Sequence, residues 1–329
     1  MAEMKRRMPK AIRAILIVFT VFAAFIVTVV GGLSLLKYAI YADFYKTHKN
    51  EFAIPGLNDN GVPQGICYDE ESKRYFVSEY DKRSGKPSRI YTIDEDGKSL
   101  KYCLYDNDEP FTGHVGGIAV GNGYLYFTHK GGLYSVDLAL FNGEDFSIDL
   151  VDYKPVNNAA SYVFSDDTYL YVGEFHYSKV EEYTLHHDVE TSEGTHHAII
   201  SRYNITDFDP KSNAIPVPNQ IISVREKVQG FAKTSDNKYV LSTSWGVSSS
   251  HAYIYNEDKL VEQGTYTDEK GVTTPLYVLS NHDTDLLAPA MFEDLEYVNG
   301  RIVTLTESSC DKYIFGKFFG AYYAFSFKV

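Results

Sequence analysis

The sequence predicts an all-β body carried behind one membrane-spanning helix. Three observations lead there: an uncharged apolar run near the N-terminus, an aromatic-rich and β-branched composition after it, and a three-strand pattern that recurs five times. With 329 residues at 44% hydrophobic and 23% charged, the chain can bury a large core and is too apolar for a disordered polypeptide. Its 28 Tyr and 20 Phe, with many Val, Ile and Thr beside them, favour pleated, half-buried surfaces over helices. The three cysteines, Cys67, Cys103 and Cys310, are too few and too widely spaced for a disulfide framework or a thiolate metal site. No catalytic signature of known spacing occurs.

The first element is the run AILIVFTVFAAFIVTVVGGLSLL at residues 14–36, 23 residues without a charge. As a helix rising 1.5 Å per residue it spans a hydrocarbon core with some tilt. It is longer than the apolar region of a cleaved secretory signal, and Ile40-Tyr41-Ala42 makes a poor cleavage site, so an uncleaved anchor is expected. Lys5, Arg6, Arg7, Lys10 and Arg13 flank it on the N-terminal side, against Lys37 and the more distant Lys46 and Lys49 on the other. That bias keeps the N-terminus cytoplasmic in a single-pass cell-membrane topology and places the rest outside. The organisation expected is a basic tail (1–13), a transmembrane helix (14–36), a juxtamembrane stalk with an aromatic belt of Tyr38, Tyr41, Phe44 and Tyr45 (37–50), and an ectodomain (51–329).

Charge separates these parts. Of 31 Lys and Arg and 44 Asp and Glu, the first 50 residues hold eight and two, leaving 23 bases against 42 acids beyond them. Such a surface repels nucleic acid. The partners expected are the membrane through residues 14–36 and a small polar ligand or another protein.

Five segments of the ectodomain superimpose. Each opens with a short apolar strand: GICYDEES from Gly65, GIAVGNG from Gly117, YVFSDDT from Tyr162, GFAKTSDN from Gly230 and DLEYVNG from Asp294. Hairpin partners follow at 74–80, 124–130, 169–175, 239–245 and 302–308, joined by Asp-, Asn- and Gly-rich turns. Third strands recur at 89–94, 132–137, 199–204, 251–256 and 321–326. Fourth strands are read at SLKYCLYD from Ser99, FSIDLVDY from Phe146, AIPVPNQIISV from Ala214 and PLYVLSN from Pro275. Segments 176–197 and 257–274 read as polar excursions. The fifth unit lacks a successor, while EFAIPG (51–56) stands unassigned before the first. Pairing that piece with the last unit closes a ring and leaves no free edge. The reading is a β-propeller of about five four-stranded blades, with six as the alternative count.

The P-x-G-I and G-G-I-A openings followed by Y-L-Y-V hairpins resemble the blades of NHL-type and gluconolactonase-like extracytoplasmic β-propellers. The resemblance covers residues 51–329 and lies in blade-building residues. It implies the architecture, and a metal-assisted hydrolase of a lactone, ester or sugar as one activity, although those relatives commonly have six blades and mix Asn and Asp into their metal sites.

First and second strands are antiparallel neighbours, so the residue opening one lies beside the residue closing the other, and both are expected at one mouth of the central channel. The opening positions hold Gln64, Gly116, Ser161, Gln229 and Glu293; the closing positions hold Glu79, His129, Glu174, Thr243 and Glu307. With Asp294, His114, His176 and Trp245 they make a polar, acidic mouth with one aromatic wall. Gln64, Glu79, His114, His129, Ser161, Glu174, Gln229, Trp245, Glu293, Asp294 and Glu307 are the ligand-binding candidates. Glu79, Glu174, Glu293 and Glu307 could hold Ca2+ through oxygen ligands, and His114, His129 and Glu293 are the acid/base candidates should the site be catalytic. A Ser161, His114 and Asp294 triad lacks the G-x-S-x-G elbow. The pairs His186-His187 and His196-His197 read as a solvated loop, and Asn204-Ile205-Thr206 as a chance glycosylation match on a strand. The principal reading is a membrane-anchored ligand-binding or protein-interaction module; the alternative is the metal-assisted hydrolase.

Overall fold

A computed structural model describes residues 9–329 apart from 167, 181–186, 314–315 and 319–320. The apolar run lies within one helix, α1 (Lys10–Ile40), of 31 residues, long and apolar enough to cross a membrane and without a buried face. Tyr41 (φ −104°, ψ 36°) breaks it, and a short helix α2 (Ala42–Thr47) follows. The expected stalk is in fact docked on the body. Phe44 is buried, its ring 5.0 Å from Phe325 and 5.7 Å from Phe292, and the Tyr41 hydroxyl meets Ser249 Oγ at 3.1 Å.

The body is a five-bladed propeller whose inner strands neighbour one another round the ring. Blade 1 runs Gly61–Asp69, Arg74–Asp81, Arg89–Ile93 and Ser99–Asp106 from the axis outward. Blade 2 is Ile118–Gly121, Tyr124–His129, Gly132–Asp137 and Asp152–Pro155. Blade 3 is Ala160–Ser165, Tyr169–Glu174, Ala198–Asn204 and Gln220–Val224. Blade 4 is Val228–Lys233, Tyr239–Thr243, Ser250–Tyr255 and Thr284–Ala288. Blade 5 takes Phe292–Val298, Arg301–Thr306 and Tyr323–Phe327 from the far end of the sequence and Lys49–Ala53 from its beginning. That last pairing, Asn50 opposite Phe325 and Ala53 opposite Tyr323, closes the ring as expected, though the strand starts at Lys49. Between blades the core is aliphatic and aromatic: Phe164, Tyr171, Phe231 and Leu241 on one side, Cys67, Phe76, Ile118 and Phe127 on another.

Two outer strands differ from expectation. The segment from Phe146 splits: Ser147–Asp149 adds in parallel to the edge of blade 1, and Asp152–Pro155 completes blade 2. The segment from Pro275 belongs to the strand Thr273–Leu279, which pairs in parallel with Gln220–Val224 of blade 3. There Leu276 and Val278 bury against Ile221, Ile199 and Val189. Its hairpin partner, Leu260–Thr267, is the supposed excursion 257–274, and the true outer strand of blade 4 is Thr284–Ala288.

Candidate functional site at the channel mouth

Backbone packing closes the channel at its middle. A Cβ on Gly65 would lie 2.8 Å from the Gly116 oxygen, one on Gly117 2.6 Å from the Tyr162 Cα, and one on Gly230 2.7 Å from the Asp294 Cα, so glycine at this position in blades 1, 2 and 4 is what lets the inner strands meet. Asp294, fully buried, fills the axis. Its carboxylate accepts the amides of Ile118 and Leu295, each at 3.0 Å, and is also hydrogen-bonded by the Ile66 amide. Three amides from blades 1, 2 and 5 thus converge on one side chain. Burial still pushes its pKa well above the usual carboxylate range. Asp294 thus clips three blades together and is absent from the cavity lining above it.

Above it opens a cavity of about 620 Å3. Four of its polar groups owe their aim to β-bulges. In blades 1, 3 and 4 the ladder skips from Pro63 to Gly65, Ala160 to Tyr162 and Val228 to Gly230, leaving Gln64, Ser161 and Gln229 unpaired; blade 5 skips Glu293 and Asp294 together. A bulge re-aims the extra side chain and shifts the parity of what lies beyond it. Gln64, Ser161, Gln229 and Glu293 accordingly line the cavity, as do His114, His129, Trp245 and Glu307.

Glu79 and Glu174 do not. In register with their blade partners both sit one residue short of the position that faces the mouth, which Tyr80 and Phe175 occupy. Leu295 pairs with Thr304, so the counterpart of Glu79 in blade 5 is Thr306, and Glu307 matches Tyr80. A one-residue slip exchanges the two faces of a strand. Glu79 is fully buried against Gly56 and Gly61, 3.2 Å from Arg89 Nε. Burial raises its pKa to about 8, against the opposing pull of Arg89. Arg89 in turn contacts Asp59 at 3.0 Å and Asp81 at 3.5 Å. Glu174 is buried, accepting from Ile199 N at 3.0 Å and meeting His187 Nδ1 at 2.6 Å. Burial draws His187 down, but the Glu174 carboxylate outweighs it and holds the imidazole above its ordinary range. The expected four-glutamate calcium site is therefore not assembled, and among the described residues no group of three or more His, Cys, Asp or Glu could hold a metal. The triad reading also lapses: Asp294 is committed to backbone amides, and Ser161 Oγ donates to Ala159 O at 2.9 Å and accepts from Phe175 N at 3.1 Å. His186 lies outside the described residues; His187 and His197 each have their own carboxylate, the latter Asp188 at 2.7 Å.

What remains at the mouth is a pair of carboxyls. Burial, then Glu307 and Asp294, push Glu293 well above the usual range; burial likewise raises Glu307, which Lys312, Tyr313 and Gln64 partly offset. Gln64 Nε2 donates to Glu307 Oε2 at 3.2 Å. Lys312 Nζ donates to the Tyr80 hydroxyl at 2.5 Å, and the Tyr80 ring lies 4.7 Å from His114. Although part of the His114 ring reaches solvent, desolvation within the mouth, Lys312 and His129 lower its pKa, so this imidazole is neutral at pH 7. His129 Nδ1 lies 2.9 Å from His114 O. Trp245 stacks on Phe175 at 5.9 Å. Tyr80, Phe175, Lys312 and Tyr313 were not anticipated. The first two were hidden by the bulge parity, and the other two sit in the long 307–322 connection, which carries no repeat signal.

No family model matches the chain, and no curated protein matches it in sequence. Among solved structures it is similar to glutaminyl cyclase from Myxococcus xanthus, at 10% identity over 85% of this chain and 94% of that one, TM-score 0.43. It is also similar to the holo PQQ domain of pyranose dehydrogenase from Coprinopsis cinerea, at 10% identity over 86% and 95%, TM-score 0.41. A third is PQQ-bound aldose sugar dehydrogenase from Streptomyces coelicolor, at 17% identity over 78% and 76%, TM-score 0.40. At these identities and TM-scores the likeness says nothing of this chain's ligand or activity.

Proposed function

We propose that the protein is a membrane-anchored binding module that takes a small, uncharged, hydroxyl-rich ligand into the channel mouth. The observation that carries this reading is the Glu293 and Glu307 pair. Burial raises both carboxyls above the ordinary range and the charge on Glu307 raises Glu293 further, so the pair disfavours carrying two charges at once, and Lys312 offsets the charge that remains. With His114 neutral as well, the cavity sets the two carboxyls against Lys130 and Lys312 and offers several donors and acceptors, which suits hydroxyl groups. The Trp245 and Phe175 rings supply an apolar wall for the faces of such a ligand.

The test is a thermal melt of the full chain in detergent with neutral monosaccharides and polyols, compared with sugar acids and amines. A ligand bound only by the native state at 100 times its dissociation constant adds about 2.7 kcal/mol. Neutral compounds should shift the wild-type transition and leave Glu293→Gln with Glu307→Gln unshifted; a shift with charged compounds alone would overturn the reading. The same pair also supports a second reading, hydrolysis with one carboxyl as acid and the other as base, because neighbouring carboxyls with separated pKa values divide those roles. Release of product from a chromogenic glycoside or lactone, lost in Glu293→Gln, would select it.

For topology we infer one span with the N-terminus cytoplasmic and the propeller outside. Protease treatment of intact cells should remove a C-terminal tag. A tag protected until lysis reverses the orientation.

A further inference from the structure

We propose that the cavity-bearing end of the propeller rests on the membrane, so that the mouth opens into the headgroup layer and its ligand is the uncharged, hydroxyl-bearing head of a lipid. The argument rests on the proposed span at residues 14–36 and on the ligand class above.

Inner strands begin at the mouth, so second-to-third connections lie at that end and first-to-second turns at the other. The helical segment touches two mouth-end connections: Tyr41 meets Ser249 in the 244–249 loop of blade 4, and α1 contacts the turn Gly316–Phe318 in the 307–322 connection of blade 5. From there α2 passes along blades 4 and 5, and Lys49 starts the closing strand opposite Ser326, near the far end. The chain thus enters the body from the mouth side. Tyr41 lies five residues beyond Leu36, about 7.5 Å along a helix, while the polar layer on each side of the hydrocarbon is roughly 5–8 Å thick. The 244–249 loop is therefore at headgroup depth.

Side chains agree with that placement. Trp245 and Val247 of this loop are 40% and 76% exposed, and Tyr322 of the neighbouring connection 45%; Trp and Tyr are the residues that settle at a membrane interface. Turns at the opposite end are acidic, among them Asp69-Glu70-Glu71, Asp94-Glu95-Asp96 and Glu257-Asp258, which disfavours that end against anionic lipid. Trp245 also walls the cavity, so one side chain joins the bilayer-facing rim to the ligand site.

Trp245 is the single tryptophan, which makes the test direct. The full chain is placed in nanodiscs containing lipids spin-labelled at the headgroup, and its fluorescence is compared with that of Trp245→Phe combined with Glu70→Trp, an exposed position at the far end. Strong quenching at Trp245 with little at the Glu70→Trp reporter supports the proposal. Equal quenching, or quenching of the far reporter alone, overturns it, even if soluble sugars bind. A second arm compares melting in phosphatidylcholine nanodiscs with and without a neutral glycolipid, beside the matching soluble methyl glycoside. A glycolipid shift abolished by Glu293→Gln supports a lipid-borne ligand. A shift by the soluble glycoside alone overturns the lipid source and leaves the ligand class standing. No shift by either compound removes the ligand class, and the lipid-head proposal with it.

Discussion

Glu293 and Glu307 carry a measurable cost. Their pKa values are raised in the folded state, so as pH climbs through the ordinary carboxylate range near 4 the unfolded chain loses protons that the native state keeps. Stability contributed by these groups is full below that range and falls as pH rises toward the folded values. Replacing Glu293 by Gln removes the penalty: the variant should melt higher than wild type at pH 7–8, with the difference shrinking toward pH 4. A Glu293→Gln variant that melts lower at neutral pH would mean that the carboxylate is ionised and paired. This residue was legible as part of a mouth, because opening positions could be aligned across five units. Glu79 and Glu174 were misplaced for a physical reason: a bulge is invisible in hydrophobic alternation, and one unpaired residue inverts the face of all that follows.

Among the elements, the inner three strands of each blade could be read because hairpin turns announce them. Outer strands could not all be read, since Ser147–Asp149 and Thr273–Leu279 join the preceding blade in parallel, and no local pattern says which sheet a strand will join. Helix α2 was equally hidden. Its Tyr and Phe residues suit a membrane interface as well as a protein groove, and only packing decides. Phe44, 1% exposed among Phe292, Phe325 and Phe327, is the element's anchor. Phe44→Ala should cost about 3–5 kcal/mol if α2 unfolds with the body, and should expose the 37–50 segment to limited proteolysis. Unchanged melting and protease resistance would show that the helix is peripheral.

For the whole molecule, closure by Lys49–Ala53 is the architectural commitment. Deleting these five residues bares the edge of Tyr323–Phe327 and uncovers the core around Phe52, which is 6% exposed. A loss of at least about 3 kcal/mol is expected from the buried ring alone, with self-association through the open edge. A deletion variant that stays monomeric with its full melting temperature would show that the remaining strands close the ring without it.

That closure also sets an order of events during synthesis. The strand Lys49–Ala53 leaves the ribosome soon after α1, but its partner is encoded some 270 residues later, Ala53 standing opposite Tyr323. Through the translation of four blades this first strand has no mate. Contacts so distant in sequence form slowly, and a nascent chain with an unmatched strand is open to pairing with its neighbours. Ring closure therefore waits for the strand Tyr323–Phe327 to arrive beside Lys49–Ala53, and a ribosome stalled in blade 5 leaves an unsealed ring.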